Sequence, residues 1–296
     1  MSLKGLTVAI TASRRALELA HLITIYGGIP YIAPTVGIET TGDNSKQAEE
    51  FIKKIAEDKL DYVVFMSGPG VYSLMSAAKK LGLEKNLIEV LKQGIIVARS
   101  SKPKIALANY GIKTDFVPDE NTAVGIANLL KKSNIKGKKM GIFWHGSYFP
   151  ILKEEMCTAG ANVYEFSGYT YSLELKESGA KILEEMGFKY VSPDQEKVIK
   201  LIESITNGII HVITFTSPPS AREFFKIAEH YKMKESLLLS LKNVIVVAVG
   251  PSTKKALEEN AVQVDIMPKI YKMGPMVKEL NDYVGQSHIP KNIRKL

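Results

Sequence analysis

The sequence predicts an α/β protein built from two parallel-sheet domains. Apolar, β-branched runs alternate with amphipathic helical stretches along the chain, which is the pattern of a parallel sheet covered by helices. The same series of elements then occurs a second time, and 296 residues are enough for two domains. The composition, 45% hydrophobic and 24% charged, is ordinary for a protein that buries a core.

The first copy of the series runs from the N-terminus to about residue 117. Its predicted strands are short β-branched runs, and its first and last helices end at the glycines Gly27-Gly28 and Gly111. The predicted strands lie at 7–10, 31–33, 61–66, 95–98 and 114–117, and the predicted helices at 13–26, from the turn at 67–70 to about 81, and at 102–110.

The second copy begins at Met140. The segment YVVFMSGPGVYSL aligns with VITFTSPPSAREF, and IIVARSSKPKIAL with YGIKTDFVP aligns with VIVVAVGPSTKKAL and NAVQVDIMP. Because there are only two copies, the repeat indicates a duplicated domain and not a solenoid. The predicted strands lie at 140–144, 162–166, 211–215, 244–249 and 262–266, and the predicted helices at 148–159 and after the turns at 217–220 and 250–253.

Extra material follows the second strand of each copy, as Thr35–Thr41 in the first and Ser167–Leu173 in the second. Both stretches look extended, and either could carry the chain between domains. If both do so, each domain is built partly from the other half of the sequence. The alternative is a simple split near Lys136, and the residues themselves leave both arrangements open.

The charge balance restricts the partners of the chain. Its formal net charge is +8 and its pI is about 9.2, which admits nucleic acid, an anionic membrane surface or a polyanionic small molecule. The basic residues are spread along the chain, without the basic stripe and interleaved aromatics of a nucleic-acid-binding module. We therefore expect no nucleic-acid partner.

Membrane, redox and metal chemistry are also restricted. No apolar run approaches the roughly 20 residues that span a bilayer, and the start MSLKGLTVAIT lacks the layout of a signal peptide, so we expect a cytoplasmic protein without a membrane partner. The single Cys157 fits a reducing compartment. Five scattered histidines show no HExxH spacing, and we expect no metal.

The turns that follow the predicted strands are rich in Ser, Thr, Gly and Pro. Each turn taken alone can be explained as a helix N-cap without a role in binding. Together, the turns offer several helix N-termini that favour anions at one edge of each sheet. The chain has no GxxxxGK[ST], no GxGxxG after a strand and no GxSxG, so we expect neither a nucleotide cofactor nor a hydrolase site. The turns are Ser67-Gly68, Ser100-Ser101, His145-Gly146-Ser147, Ser217–Ser220 and Gly250–Thr253.

The order and spacing of several segments resemble the uroporphyrinogen-III synthase family. They are the Ser-Gly-Pro and Ser-Pro turns, VARSSKPKIAL, AGANVYEFSGYTY, GPSTKKAL and KMGPMVKEL, and the resemblance runs from Val8 to about Tyr283. It implies two Rossmann-like (flavodoxin-like) domains joined by a two-stranded linker, with the active site in the cleft between them. One domain would hold 1–35 plus 173–285 and the other 41–167, with linker strands at 35–41 and 167–173 and a tail at 286–296.

The resemblance also implies an activity. The family is a hydro-lyase that cyclises hydroxymethylbilane, inverts ring D and releases water, which yields uroporphyrinogen III for heme, sirohaem and corrinoid biosynthesis. It uses no cofactor. The substrate carries eight carboxylates, which agrees with a basic chain that presents many helix N-termini. A transient hand-over from hydroxymethylbilane synthase and a monomeric state are further expectations.

The site residues follow from the same resemblance. Tyr169 lies nine residues after Gly160, where the family places its important tyrosine, and a phenol there could help the terminal hydroxyl depart as water. Tyr171 is the nearby rival. Where relatives have a G-x-x-T turn, the first copy has the Arg99–Lys102 segment, which we interpret as a variant carboxylate site. The expected substrate-binding residues are Arg14, Arg15, Ser67, Gly68, Arg99, Ser100, Lys102, His145, Gly146, Ser217, Ser220, Gly250, Ser252, Thr253, Lys272, Met273 and Gly274.

Three other functions compete with this interpretation. A two-domain small-anion binding protein of the periplasmic type would use the same architecture without catalysis. A glycosyltransferase with two such domains should show an acidic or histidine base and a nucleotide-diphosphate site, and we find no clear equivalent. The interpretation as a nucleic-acid-binding protein rests on the positive charge alone.

Overall fold

Two sheets organise the chain, and each contains strands from both halves of the sequence. The computed structural model describes residues 2–39, 42–146, 150–172, 182, 184, 187 and 189–286. In chain order the strands are β1 (Thr7–Ile10), β2 (Ile29–Ile32), β3 (Gly37–Glu39), β4 (Tyr62–Phe65), β5 (Ile95–Ala98), β6 (Lys139–Gly146), β7 (Asn162–Ser172), β8 (Val212–Phe215) and β9 (Ile245–Ala248).

The helices cover the sheets between these strands. They are α1 (Ala16–Ile25), α2 (Gly42–Asp58), α3 (Gly68–Lys80), α4 (Glu84–Leu91), α5 (Ser101–Ala108), α6 (Ala123–Leu130), α7 (Pro150–Thr158), α8 (Gln195–Thr206), α9 (Pro218–His230), α10 (Lys234–Leu241), α11 (Pro251–Glu258) and α12 (Met273–Gly285). Within the described ranges, no helix is both long and apolar enough to cross a membrane.

The strand order shows that the two halves of the sequence exchange strands. The first sheet has the order β2-β1-β8-β9 and the second the order β3-β7-β6-β4-β5. The pairs β1 with β8 and β4 with β6 are parallel, with Val8 opposite Val212 and Tyr62 opposite Met140. A split of the chain near Lys136 would separate the strands of both pairs. The α/β fold class with parallel sheets is therefore confirmed, and the simple split is wrong.

The chain divides into two compact units. The first comprises Met1–Ile38, Tyr171–Lys176 and Phe188–Leu296, and the second comprises Glu39–Thr170 and Glu177–Gly187. The domain limits expected from the family resemblance stay a prediction. Residues 173–181, where the second crossing would end, and 287–296 of the expected tail lie outside the described residues.

The duplication holds at the level of single residues. The bounds of α3, α4, β5 and α5 recur 150 positions later in α9, α10, β9 and α11. Backbone conformations recur as well: Gly82 and Lys232 have φ of 71° and 56°, and Gly111 and Ala261 have φ of 68° and 59°. The two copies therefore have the same local structure even where their residues differ.

Each sheet is buried on both faces, which explains the continuous apolar runs of its strands. In the first unit, Ala9 and Ile213 face the core under α8 and α9, whereas Val8 and Val212 face the core under α1 and α12. In the second unit, Phe51 of α2 packs against Phe143 and Phe166, with ring centroids 5.1 and 4.8 Å apart. In each unit, this packing on the faces of the sheet holds the carboxyl ends of the strands in place.

The strands predicted at 114–117 and 262–266 are wrong. Only single bridges form there, between Phe116 and Val97 and between Ile266 and Val247. Pairing stops because the Asp115 and Asp265 carboxylates accept from the N–H groups of Ile96 and Val246, which a longer strand pair would otherwise use. The sequence pattern does not predict helices α2, α4, α6, α8, α10 and α12. Other differences are shifts of bounds, such as the strand predicted at 31–33, which is Ile29–Ile32. Residues 148 and 149 of the predicted helix at 148–159 lie outside the described residues.

Candidate functional site

The candidate site residues of each unit follow the carboxyl ends of its parallel strands. Because such ends meet at one edge of a sheet, with neighbouring strands about 4.8 Å apart, each unit gathers its candidates at one edge. In the second unit this edge carries Ser67, Gly68, Arg99, Ser100, Lys102, His145, Gly146 and Tyr169. In the first unit it carries Arg14, Arg15, Ser217, Ser220, Gly250, Ser252 and Thr253, with Lys272, Met273 and Gly274 at the start of α12.

Ser67 and Tyr169 are in direct contact in the second unit. Ser67 is the N-cap of α3, and its Oγ accepts a hydrogen bond from the Gly70 N–H at 3.1 Å. The same Oγ lies 2.9 Å from the Tyr169 hydroxyl oxygen. Both side chains are buried, with exposed fractions of 9% for Ser67 and 1% for Tyr169. The phenol of the candidate catalytic residue is therefore tied to the first turn of α3.

The backbone around Tyr169 is held from two helices. The Gln47 Oε1 of α2 accepts from the Ser167 N–H at 2.9 Å, and the Ser73 hydroxyl of α3 donates to the Gly168 carbonyl. Ser167 in turn donates from its Oγ to the Tyr169 carbonyl at 3.0 Å. Gly168 leaves no room for a side chain, since a Cβ there would lie 2.8 Å from the Phe143 ring. The backbone around Tyr169 is thus held by contacts to α2, α3 and the Phe143 ring.

The corresponding turn of the first unit uses its hydroxyl groups internally. Ser217 is the N-cap of α9, and its Oγ accepts from the Ser220 N–H at 3.3 Å. The Ser220 Oγ donates to the Ser217 carbonyl at 2.8 Å, and Ser220 is fully buried. Thr35, which the sequence assigned to the linker, donates to the Ser220 carbonyl at 2.7 Å. These contacts explain the hydroxyl-rich turn as a well-capped helix start.

Gly250 is the N-cap of α11, and the space beside it is narrow. A Cβ on Gly250 would lie 3.3 Å from Cβ and Cγ of Tyr271, whose ring covers this turn. Ser252 is exposed, whereas Thr253 is buried. Tyr271, with an exposed fraction of 57%, was not among the candidates, and its only sequence signal is its position next to Lys272.

The two arginines before α1 have different environments. Arg15 is the N-cap of α1 in a left-handed conformation, and its Nε donates to Glu18 Oε2 at 2.7 Å. This hydrogen bond lowers the pKa of the Glu18 carboxyl. Arg14 is half-buried and forms a backbone bridge with Tyr190. A ligand carboxylate at Arg15 would therefore compete with Glu18.

The remaining candidates lie at helix starts or strand ends. Ser100 is the N-cap of α5 without a side-chain capping bond, Arg99 beside it is half-buried, and Lys102 is exposed. Lys272 is the exposed N-cap of α12, after which Met273 packs partly into the core. His145 and Gly146 end β6, while Ser147 of the same predicted turn lies outside the described residues.

A cavity of about 340 Å³ in the second unit opens at the opposite edge, at the amino ends of β4 and β5, where Asp61 pairs with Lys138 at 2.9 Å. It includes none of the candidate residues. Among the residues that the structure describes, no group of three or more His, Cys, Asp or Glu side chains could hold a metal ion.

Comparisons with known proteins give a consistent result. The model of the family described as Uroporphyrinogen-III synthase HemD matches residues 18–278. A Bacillus subtilis (strain 168) protein, named Uncharacterized protein YjjA, is 28% identical over 282 residues, which cover 95% of this chain and 97% of that protein. A Methanothermobacter thermautotrophicus protein, named provisionally as a uroporphyrinogen-III synthase, is 26% identical over 92% of this chain and 96% of its own.

A solved structure shows the same fold. The crystal structure of a mutant uroporphyrinogen III synthase from the extremely thermophilic bacterium Thermus thermophilus has a TM-score of 0.70 at 21% identity, and the match covers 96% of this chain and 100% of that one. At this identity the likeness concerns the fold, whereas the family model matches most of the chain. The chain therefore belongs to the uroporphyrinogen-III synthase family.

Proposed function

We propose that the chain is a uroporphyrinogen-III synthase, a lyase that converts hydroxymethylbilane into uroporphyrinogen III and water without a cofactor. Family membership supports the reaction class. The observation that carries the proposal within the chain is the buried Tyr169 phenol, held 2.9 Å from Ser67 at the N-terminus of α3.

In the proposed reaction, the Tyr169 phenol assists the first step. The bond between the terminal methylene carbon and its hydroxyl oxygen breaks, the phenol supplies a proton, and the oxygen leaves as water. The pyrrole nitrogen supplies the electron pair that expels the oxygen and then loses its N–H proton, which returns to the phenolate, so that the neutral azafulvene and the phenol remain. Because Tyr169 is shielded from bulk water, its surroundings suit an intermediate that water would otherwise trap.

Ring closure with inversion of ring D then requires positioning above all, since the carboxylates must be anchored while the ring turns over. The helix starts at Ser67, Ser100 and Gly250 direct backbone N–H groups and the positive end of a helix dipole toward a sheet edge. The start at Ser217 offers only the helix dipole, because Pro218 and Pro219 lack an N–H and the Ser220 N–H is bonded to Ser217 Oγ. A formal net charge of +8 further favours an octa-carboxylate ligand. We propose that these edges bind the substrate carboxylates.

The decisive experiment is product analysis with hydroxymethylbilane as substrate. The unassisted reaction closes the ring without inversion and gives the type I isomer, whereas a synthase gives the type III isomer. We expect type III in excess over an enzyme-free control, measured by chromatography of the oxidised porphyrins. An isomer ratio equal to that control would contradict the proposal and would favour an anion-binding protein without catalysis.

A further inference from the structure

We propose that Ser67 is a positioning residue that couples the Tyr169 phenol to the N-terminus of α3 and makes the phenol a stronger proton donor. The catalytic consequence of this role rests on the proposed function. The coupling itself is a property of the folded chain and can be measured without substrate.

The hydrogen-bonding capacity of Ser67 carries the argument. A serine hydroxyl has one hydrogen and two lone pairs, and one lone pair of Ser67 accepts from the Gly70 N–H. The hydrogen and the second lone pair remain for the phenol oxygen at 2.9 Å. Ser67 can therefore accept from the neutral phenol, and it can donate to the phenol oxygen once the proton has left.

The location of this contact at the N-terminus of α3 further stabilises negative charge on the phenol oxygen. The N-terminus of an α-helix carries about half a positive charge, and its influence falls off within the first turn. α3 has 13 residues, and the phenol oxygen touches its N-cap residue directly. Negative charge that develops on the phenol oxygen during proton transfer is therefore stabilised through Ser67 and the Gly70 N–H.

Contacts on both sides of Tyr169 hold its backbone in place. Gly168 is held by Ser73 on one side and lies against the Phe143 ring on the other. Ser167 is bonded to α2 through Gln47. Loss of the Ser67 hydroxyl should therefore change the environment of the phenol and not simply move the ring elsewhere.

The duplication shows that capping alone does not explain Ser67. Ser217 occupies the same position in the second copy and caps α9 through the Ser220 N–H. In the described part of the chain, its hydroxyl has no tyrosine among its hydrogen-bond partners. Ser217 thus caps its helix without a contact to a tyrosine hydroxyl, whereas Ser67 caps its helix and also contacts the Tyr169 hydroxyl.

The test compares three variants. Ser67→Ala removes the coupling, and Ser67→Thr keeps a hydroxyl at the cap. Thr122→Ala is the matched control, because Thr122 caps α6 in the same unit and its hydroxyl accepts from the Gly125 N–H at 2.9 Å. All three are produced with ¹³Cζ-labelled tyrosine, and the Tyr169 signal is assigned by its loss in Tyr169→Phe.

We expect Ser67→Ala to shift the Tyr169 ¹³Cζ resonance, Ser67→Thr to restore it, and Thr122→Ala to leave it in place. With hydroxymethylbilane, we expect Ser67→Ala to lower kcat about tenfold with KM within about twofold, since the coupling acts on the leaving step. We expect near-normal kcat for Ser67→Thr and Thr122→Ala.

Equal Tyr169 resonances in Ser67→Ala and Thr122→Ala would overturn the coupling. A tenfold loss of kcat that Ser67→Thr does not recover would also overturn it, because the effect would then be one of packing. If the unaltered chain shows no turnover, the proposed function fails, and the resonance comparison alone still decides the role of Ser67.

Discussion

Asp115 and Asp265, which lie 150 positions apart, accept the same hydrogen bond in the two copies of the repeat. The Oδ2 of Asp115 lies 2.8 Å from the Ile96 nitrogen, and the Oδ2 of Asp265 lies 2.8 Å from the Val246 nitrogen. Each carboxylate thereby satisfies an N–H of the edge strand of its sheet, where a buried N–H without an acceptor is costly.

Replacement of either carboxylate should therefore destabilise its own sheet. We expect Asp115→Ala and Asp265→Ala each to lower the free energy of unfolding by about 1–2 kcal/mol. Asp115→Asn and Asp265→Asn should retain most of the stability, because the amide oxygen can accept the same hydrogen bond. Urea unfolding followed by circular dichroism measures the difference, and the exposed Asp119 provides a control substitution to Ala. An alanine variant as stable as that control would contradict the argument.

The left-handed residues of the second copy should benefit from glycine. Lys232 and Ala261 have φ of 56° and 59°, and their counterparts in the first copy are Gly82 and Gly111. A non-glycine residue in this region costs about 1–2 kcal/mol, part of which the greater chain entropy of glycine offsets. We expect Ala261→Gly to raise the free energy of unfolding by about 0.5–1 kcal/mol.

The reverse change in the first copy is the matched control. A Cβ on Gly111 would meet nothing within 4 Å, so Gly111→Ala introduces backbone strain without a steric clash. We expect it to destabilise the chain by a similar amount. Thermal unfolding of Ala261→Gly and Gly111→Ala measures both effects. If the free energy of unfolding changed with the same sign in the two variants, the backbone positions would not be equivalent.

His211 should make the first unit sensitive to mild acid. Its Nδ1 accepts from the Thr7 N–H at 3.0 Å, and burial lowers the pKa of His211 from its ordinary value of 6.5. The unfolded chain therefore binds a proton at a higher pH than the folded chain. The stability from neutral His211 is fully present above about pH 6.5 and is lost as the pH falls from there through the lowered pKa of the folded state.

The test is the pH dependence of His211→Asn, whose amide oxygen can accept from Thr7 without titrating. We expect the unaltered chain to lose more stability than His211→Asn between about pH 7.5 and about pH 5, as measured by urea unfolding. Parallel losses in the two proteins would show that another group causes the pH dependence.

Tyr169→Phe should separate catalysis from folding. General acid assistance contributes about 10²-fold or more, so we expect kcat with hydroxymethylbilane to fall about 100-fold. The lost hydrogen bond to Ser67 should cost about 1 kcal/mol of stability, which the fluorescence of the single tryptophan, Trp144, can monitor in the same unit. A large rate loss in Tyr171→Phe with normal turnover in Tyr169→Phe would instead assign the role to Tyr171.

Gly168→Ala tests how tightly the Tyr169 segment is packed. The new Cβ would lie 2.8 Å from Cε1 and Cζ of the buried Phe143, and overpacking of this kind costs about 1–3 kcal/mol. Gly274→Ala is the comparison, because a Cβ there meets nothing within 4 Å and lies in the first turn of α12. We expect it to be neutral or slightly stabilising. A Gly168→Ala protein with unchanged stability would show that the ring can move aside.

Much of the fold could be predicted from local patterns. The alternation of apolar runs and amphipathic stretches predicts parallel sheets, and the aligned segments predict equivalent turns at Ser67 and Ser217, both of which cap helices. The strands predicted at 114–117 and 262–266 fail because residue patterns cannot show that Asp115 and Asp265 take over the neighbouring strand's N–H groups.

The candidate site depends more strongly on contacts between distant residues. Sequence and family resemblance single out Ser67 and Tyr169 separately, as a turn residue and as a tyrosine near a linker. Their hydrogen bond joins residues 102 positions apart, and it exists because β7 and β4 both pair with β6 in the same sheet. Similarly, nothing in the residue pattern indicates that Thr35 bonds the Ser220 carbonyl.

The sequence by itself determined the fold class, the duplication and the helix starts at Ser67 and Ser217, because these depend on periodicity and on residues close together in the chain. Only the tertiary structure decided which strands pair across the two halves and which hydroxyl groups meet. Strand order and register decide these contacts, and both arise when apolar faces from distant segments are buried together. The pairing of Ser67 with Tyr169 is therefore a property of the folded sheet.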